Sequence, residues 1–241
     1  LLTATFTGGL IAQYSGSNAV FYAAAVAGAF GTVLMLAARE PEASRNRTYS
    51  MVTFVRVLRT PLMLLAGGIG ILVQFVTFGG SFGFVPVYAQ RIGASNAEVG
   101  YVTTAMLIAQ LLGTLVTMRV SERIGIRPTL LVSSLIVAFS MAMVPNMLSV
   151  WLLIGLQGIG GFGRGIANTV LISLSLRKIA PEDRATGMGI YQAIYATGMI
   201  SGPIASGYLA QTASLEAVFY LVAIVSLVGG LLGLLKTIPF R

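Results

Sequence analysis

A polar face with a charged side chain runs along one predicted, otherwise apolar helix. Gln157, Gly161, Arg164 and Asn168 follow one another at i, i+4, i+7 and i+11, and this spacing places them on one side of an α-helix. An arginine guanidinium stays charged and offers several N–H donors, so it suits an anion or a group of oxygen acceptors. We therefore predict that Gln157, Arg164 and Asn168 bind a substrate.

The depth of Arg164 supports this interpretation. The next basic residue along the helix, Arg177, lies about 13 residues or ~20 Å away, too far for the side chain to reach that surface. An arginine near the middle of a bilayer costs about 2.5 to 3.5 kcal/mol, so it faces a cavity or a partner. Since no Asp or Glu of the chain lies at that depth, the partner is an acid elsewhere in the protein, a substrate anion, or carbonyls and amides. An arginine that only packs between helices is the alternative.

A second polar face lies on the apolar stretch 61–89. Gln74, Thr77 and Ser81 share this face, and we predict that they also bind the substrate. The stretch is longer than a bilayer requires and holds several glycines and Pro86, so a break or bend is expected near its outer half. Broken helices often line the binding sites of transporters.

Two tyrosines complete the candidate site. Tyr191 and Tyr195 are one helical turn apart, and their rings have an apolar body and a polar tip. Such rings suit a substrate that is itself amphipathic. The chain holds no Cys and no His, which excludes thiolate and imidazole chemistry and the usual zinc sites. We expect no metal, no cofactor and no enzyme activity.

Composition places these candidates in a membrane. Hydrophobic residues make up 56% of the chain and charged residues 9%, too little polar surface for a soluble domain. The chain opens at Leu1 inside an apolar run, so we expect sequence before it. The last span holds almost no polar residue and is expected to face lipid. Windows of about 20 apolar residues predict a partial helix at 1–13 and spans at 18–37, 61–89, 98–118, 129–145, 149–174, 185–210 and 215–235.

Basic residues are concentrated in alternate loops. Thirteen of the 15 lie on one side of the predicted topology, which places the linker and the C-terminus in the cytoplasm of a cell membrane. The net charge of +8 is thus a signal of topology, and no continuous basic face for nucleic acid is expected. These thirteen are Arg39, Arg45, Arg47, Arg56, Arg59, Arg119, Arg123, Arg127, Arg177, Lys178, Arg184, Lys236 and Arg241.

An internal repeat relates the two ends of the chain. The segment AVFY at 19–22 recurs at 217–220. With an offset of 198 residues, the whole stretch 3–22 aligns with 201–220. Both copies have a glycine-bearing apolar helix end, a short polar turn and a new apolar run. The repeat indicates a duplicated half of a membrane protein.

Two further segments resemble signatures of the major facilitator superfamily. SERIGIRP, at 121–128, is similar to the cytoplasmic loop of that family, and 180–207 is similar to its fifth helix in the second half. The resemblance implies an all-α, polytopic membrane bundle. Residues 1–37 are then the end of a first half, 38–60 the cytoplasmic central linker, and 61–241 a six-helix second half. The resemblance also implies that the first and fourth helices of each half line a central cavity.

The two segments suggest a gate on the cytoplasmic side. We expect these residues to hold that side closed in one state, the alternative being that they form ordinary helix ends and loops. The predicted gating residues are Glu122, Arg123, Gly125, Arg127, Asp183 and Arg184.

The resemblance is closest to the drug-exporting, proton-antiporting branch of the family. That branch has a Gly-Pro pair where this chain has Ala4 and Thr5, and this difference leaves the assignment of the chain to that branch open. The implied function is efflux of amphipathic small molecules by alternating access, with the proton carrier in a first half outside this chain. Uptake of an anionic metabolite bound by Arg164 is a second interpretation, and a non-transporting receptor or scaffold a third. The expected partners are a small-molecule substrate, membrane lipid and the first half.

Overall fold

Helices form almost all of the structure. The computed structural model describes residues 2–37 and 51–235, and no β-strand occurs in these two ranges. The helices are α1 (Leu2–Ser15), α2 (Ser17–Ala37), α3 (Met51–Leu58), α4 (Pro61–Val76), α5 (Val85–Arg91), α6 (Asn96–Ile124), α7 (Ile126–Met143), α8 (Val150–Leu176), α9 (Arg184–Thr212) and α10 (Leu215–Leu232). The predicted all-α membrane bundle is confirmed.

Six of the described helical segments are long and apolar enough to cross a membrane. They are Asn18–Leu36, Pro61–Arg91, Asn96–Ile124, Ile126–Asn146, Val150–Leu176 and Leu215–Leu232. The predicted span 185–210 is a helix, α9, of 29 residues, but it is not among the six. Its Gln, Ser, Thr and Gly residues lower its hydropathy, and its length alone matches a bilayer.

The predicted span 61–89 is an interrupted helix. Between α4 and α5, residues Thr77–Phe82 form a π-helical segment, and the chain then turns at Gly83 and Phe84 before α5 begins at Val85, with Pro86 in its first turn. A π-helical segment holds more residues in each turn than an α-helix and is often found at functional sites. The interruption expected from glycine and proline is therefore present in the α-helix, and it includes the predicted substrate residue Ser81.

Glycines let several helices approach each other closely. The contact between α6 and α8 is the most extensive among the described helices. A β-carbon at Gly161 or Gly165 would overlap backbone carbonyl oxygens of α6, and one at Gly113 would overlap the backbone of α8. A β-carbon at Gly198 of α9 would likewise overlap the backbone oxygen of Ile71 on α4. These two pairs of helices are thus packed backbone to backbone, as is common for helices in membranes.

The last helix is not a purely lipid-facing element. Phe219 and Val222 of α10 are buried in the bundle, and Ser226 donates a hydrogen bond to the backbone of Ser134 on α7, at 3.0 Å. Leu231 and other residues on the opposite side of α10 are exposed. The expectation that this whole helix faces lipid is therefore wrong. One face of it completes the core.

The two N-terminal helices have a different environment. α1 lies along α6 and contacts α2, while α2 has few other contacts and exposes nearly all of its side chains. Helix α3 precedes Pro61 and buries Val57. The rest of the predicted linker, residues 38–50, lies outside the described residues.

Candidate functional site

Arg164 and Ser81 meet inside the six-helix bundle. Arg164 comes from α8 and is 1% exposed, and its Nη1 donates a hydrogen bond to the hydroxyl oxygen of Ser81 in the π-helical segment. The structure therefore brings together one residue from each of the two predicted polar faces. Two other nitrogens of the guanidinium, Nε and Nη2, have no hydrogen-bond partner in the described part of the chain.

A small cavity lies beside this guanidinium. Its volume is about 10 Å³, close to the minimum that a single water molecule needs. In this conformation the cavity has no room for a metabolite, so a ligand larger than water would need the surrounding helices to move. The lining residues are Val73, Val76, Ser134, Val137, Arg164, Ala167 and Ser226.

Other polar atoms in the bundle interior also lack partners. Both side-chain polar atoms of Gln157 and the hydroxyl of Ser206 are buried without a hydrogen bond in the described residues. An unpaired buried polar group costs about 1 to 3 kcal/mol, so several within one bundle are unusual. Gln157 was predicted from its spacing to Arg164. Ser206 was not, because a serine in a membrane helix gives no signal that separates binding from packing.

The other residues of the two polar faces differ in their burial. Gln74 and Asn168 are half-buried. Thr77 is buried, and its hydroxyl donates to the backbone oxygen of Val73 at 2.7 Å, so its hydrogen-bonding capacity is used within its own helix. The face on α8 thus runs from a buried end at Gln157 and Arg164 to a partly exposed end at Asn168.

The two predicted tyrosines form one aromatic pair. The rings of Tyr191 and Tyr195 meet edge to face, with centroids 5.1 Å apart. Tyr191 is buried, and Tyr195 is half-buried. A β-carbon at Gly70 of α4 would lie 3.1 Å from the hydroxyl oxygen of Tyr191. The pair therefore packs where α9 crosses α4, and only Tyr195 offers a surface to a ligand in this conformation.

The predicted gating residues lie at helix ends. Gly125 has a φ of +88°, which favours glycine, and it joins α6 to α7 in a tight turn. Thr129 closes this turn by donating to the backbone oxygen of Gly125 at 2.6 Å. Glu122 and Arg123 are exposed on the last turn of α6, and Arg127 is half-buried.

The second gating segment is the short 3₁₀ turn Pro181–Asp183 before α9. Asp183 is half-buried, and Arg184 is exposed. Arg184, Arg177, Ser173 and Leu176 surround an open hollow of about 430 Å³. The segment therefore presents charged groups to a surface on which another part of the protein could close, and its gating role stays a prediction.

Comparisons with known proteins agree on one family. The sequence model of the family described as Major Facilitator Superfamily matches residues 67–240. Multidrug resistance protein 3 of Bacillus subtilis (strain 168) is 26% identical over 136 residues, which is 52% of this chain and 26% of that protein. Tetracycline resistance protein, class C, of Escherichia coli is 32% identical over 136 residues, 55% of this chain and 32% of that protein.

A human protein also matches. Solute carrier family 67 member A1 of Homo sapiens is 27% identical over 158 residues, which is 63% of this chain and 36% of that protein. These matches span between 26% and 36% of the length of the relatives, so each relative is much longer than the matched part.

Proposed function

This chain belongs to the Major Facilitator Superfamily, and on that premise we propose that it forms part of a secondary transporter that exports amphipathic small molecules in exchange for protons. Members of the family are multi-pass membrane transporters rather than enzymes, in keeping with the six apolar spans. Two relatives are named for resistance to drugs or tetracycline, which supports export as the direction. The transporter works by alternating access, in which two halves move around a central site.

The observation that carries this proposal is the pair Ser81 and Arg164. It joins the π-helical break in the first span of the bundle to the helix α8, and Nε and Nη2 of the guanidinium keep unused hydrogen-bonding capacity in the interior. We propose that Gln74, Thr77, Ser81, Gln157, Arg164, Asn168, Tyr191 and Tyr195 bind the substrate once the helices separate. Tyr195, Gln74 and Asn168 are half-buried, so they are the first of these residues that an arriving substrate contacts.

The proton carrier belongs to the proposed first half. The acids of the described residues all lie at helix ends, away from the middle of a span. They are Glu98, Glu122, Glu182, Asp183 and Glu216. Coupling to protons needs a titratable group in the membrane interior, so the carrier is an Asp or Glu in helices that precede this chain.

Orientation follows from the distribution of charge. We propose that the protein lies in the cell membrane with its central linker and C-terminus in the cytoplasm, because the basic residues are concentrated in loops on that side. The first half, the substrate and membrane lipid are its partners. Glu122, Arg123, Gly125, Arg127, Asp183 and Arg184 close the cytoplasmic side in one state.

Uptake of an anion is the second candidate function. The two unpartnered guanidinium nitrogens of Arg164 favour it, since a carboxylate or phosphate accepts hydrogen bonds from both at once. The cavity of about 10 Å³ beside them has no room for such a group, which makes this candidate depend on a larger opening. Efflux of an amphipathic compound is preferred because two relatives are named for resistance to drugs or tetracycline.

Transport by the purified full-length protein tests both candidates. The protein is reconstituted into vesicles, a pH gradient is imposed, and movement of a lipophilic cation and of tetracycline is followed, with a small dicarboxylate as the anionic probe. We expect movement of the cation or tetracycline that stops when a protonophore collapses the gradient. Accumulation of the dicarboxylate alone would replace this function with anion uptake, and movement of no probe would contradict both.

A further inference from the structure

A glutamine caps a helix across the contact between α1 and α6. Gln13, near the end of α1, accepts a hydrogen bond through its Oε1 from the backbone N–H of Ala97, at 3.0 Å. Ala97 is the second residue of α6, and the first turn of a helix holds N–H groups that have no partner within the helix. The side chain of Gln13 thus satisfies one of these groups and fixes the two helix ends together.

A glycine one turn earlier permits this contact. A β-carbon at Gly9 would lie 3.1 Å from the backbone oxygen of Asn96 and 3.1 Å from the Cα of Gly100. Such spacing is tight for any larger residue, so Gly9 allows α1 to approach the start of α6. Gly9 and Gln13 therefore act as one docking motif, GLIAQ, in which the glycine gives the approach and the glutamine gives the cap.

The internal repeat places the same motif on α9. With the offset of 198 residues, Gly9 aligns with Gly207, Ala12 with Ala210, and Gln13 with Gln211, so that GLIAQ matches GYLAQ. Among the described residues, no helix end lies against this second copy of the motif. Nothing lies within 4 Å of a β-carbon at Gly207, and Gln211 is exposed.

The surface around the second motif is apolar and exposed. Ile200, Ile204 and Tyr208, which share a face with Gly207 and Gln211, are 66%, 67% and 70% exposed. They border a hollow of about 640 Å³ on α9. Lipid would cover the apolar side chains, but it gives no reason for a glycine one turn away from Gln211, whereas small residues are typical of sites where two helices approach closely.

We infer that Gln211 accepts a hydrogen bond from a backbone N–H in the first turn of a helix that is equivalent to α6 and lies in the first half of the full-length protein. The inference rests on the proposed function, which supplies that half. The observed contact identifies this helix. Since α1 docks on the start of α6, α9, which is the repeat copy of α1, docks on the start of the repeat copy of α6. Two glutamine caps then join the halves at one end of the membrane.

The pair of caps has a role in the transport cycle. Both lie at the membrane side where α1 and α9 end, opposite the central linker. They stabilise the state in which this side is closed, and both hydrogen bonds must break before it opens. Each cap contributes a directional contact that lipid or an apolar side chain does not reproduce.

Hydrogen exchange followed by mass spectrometry tests the inference on the full-length protein in lipid nanodiscs. In Gln13→Met, which has a similar volume but a much weaker acceptor, we expect amides in the first turn of α6 to exchange about fivefold faster. In Gln211→Met we expect the same acceleration in the first turn of the equivalent helix in the first half. Gln211→Glu, whose carboxylate accepts the bond and suits a helix N-terminus, should restore protection.

Thr212→Val is the matched control. Thr212 is exposed beside Gln211, and its hydroxyl donates to the backbone oxygen of Tyr208 at 2.9 Å, so the substitution removes a polar group at the same depth that serves only its own helix. It should leave exchange in the first half unchanged. If Gln211→Met changes exchange only within α9, or if it instead breaks a dimer of the protein, the inference is overturned.

The transport assay on the same variants separates this inference from the proposed function. Intact export with no effect of Gln211→Met on the first half overturns the cap and leaves the transporter assignment standing. Acceleration of exchange in the first half, in a protein that moves none of the probes, supports the cap and contradicts the proposed export.

Discussion

Phe21 and Phe219 occupy the same position in the two copies of the repeat but have opposite environments. Phe219 is fully buried, and its ring meets that of Tyr88 edge to face with centroids 5.5 Å apart. Phe21 is 74% exposed. Since the surrounding segment AVFY is identical in the two copies, the difference lies in the neighbouring helices. The proposed first half would bury Phe21 as the second half buries Phe219.

We therefore expect Phe21→Ala and Phe219→Ala to destabilise the full-length protein to a similar extent. Truncation of a buried phenylalanine costs about 3 to 5 kcal/mol. Thermal unfolding in detergent measures the effect, with Tyr220→Ala as the control because Tyr220 is 46% exposed at the next position. A Phe21→Ala variant as stable as the parent would show that α2 is not packed in a second bundle.

Arg164→Met is expected to reduce transport at least tenfold without lowering the unfolding temperature. A buried charge with no acid beside it gives little net stability, and an apolar side chain of similar size often replaces it without loss. Arg164→Lys should also be impaired, because an ammonium does not reproduce the planar set of donors. Vesicle transport and thermal unfolding are measured in parallel. Full transport in both Arg164→Lys and Arg164→Ala would remove this residue from the site.

Gly165→Ala is expected to destabilise the bundle by about 1 to 3 kcal/mol through overpacking. A β-carbon at Gly165 would overlap the backbone oxygen of Gln110, so α6 and α8 would have to separate. Gly155→Ala on the same helix is the control, since nothing lies within 4 Å of its β-carbon. Thermal unfolding compares the two variants. Equal stability would mean that the two backbones do not need their close contact.

Glu122→Gln is expected to weaken closure of the cytoplasmic side. The substitution keeps the size of the side chain and removes a negative charge from the exposed last turn of α6. We expect slower transport and a shift toward the state that is open to the cytoplasm, measured by spectroscopic distances between labels on that side. Unchanged transport and unchanged populations of the two states would contradict a gating role for Glu122.

The sequence predicts most of the helices and part of the candidate site. Helix periodicity placed Gln157 and Arg164 on one face, and glycines with Pro86 predicted the break in the span 61–89. The π-helical form of that break was not predictable. Beside it, a β-carbon at Gly79 would lie 2.8 Å from the hydroxyl oxygen of Ser206, so this segment packs closely against α9, which is distant in the sequence. The contact between Ser81 and Arg164 likewise joins residues 83 positions apart.

The sequence of a membrane helix does not show which of its faces is buried in the protein. In water an apolar face indicates a core, but in lipid an apolar face suits both the core and the surrounding hydrocarbon. For this reason the sequence could not show that Phe219 and Val222 are buried while Leu231 is exposed. The same ambiguity hides Ser206, Ser134 and Ser226, whose roles depend on which neighbour they meet.

The backbone contacts at Gly113, Gly161 and Gly165 have a mechanical consequence. With no side chains between them, the backbones of α6 and α8 lie directly against each other along this stretch, so we expect the two helices to move together. Arg164 lies on one of these helices, and Ala97, which is bonded to Gln13, lies on the other.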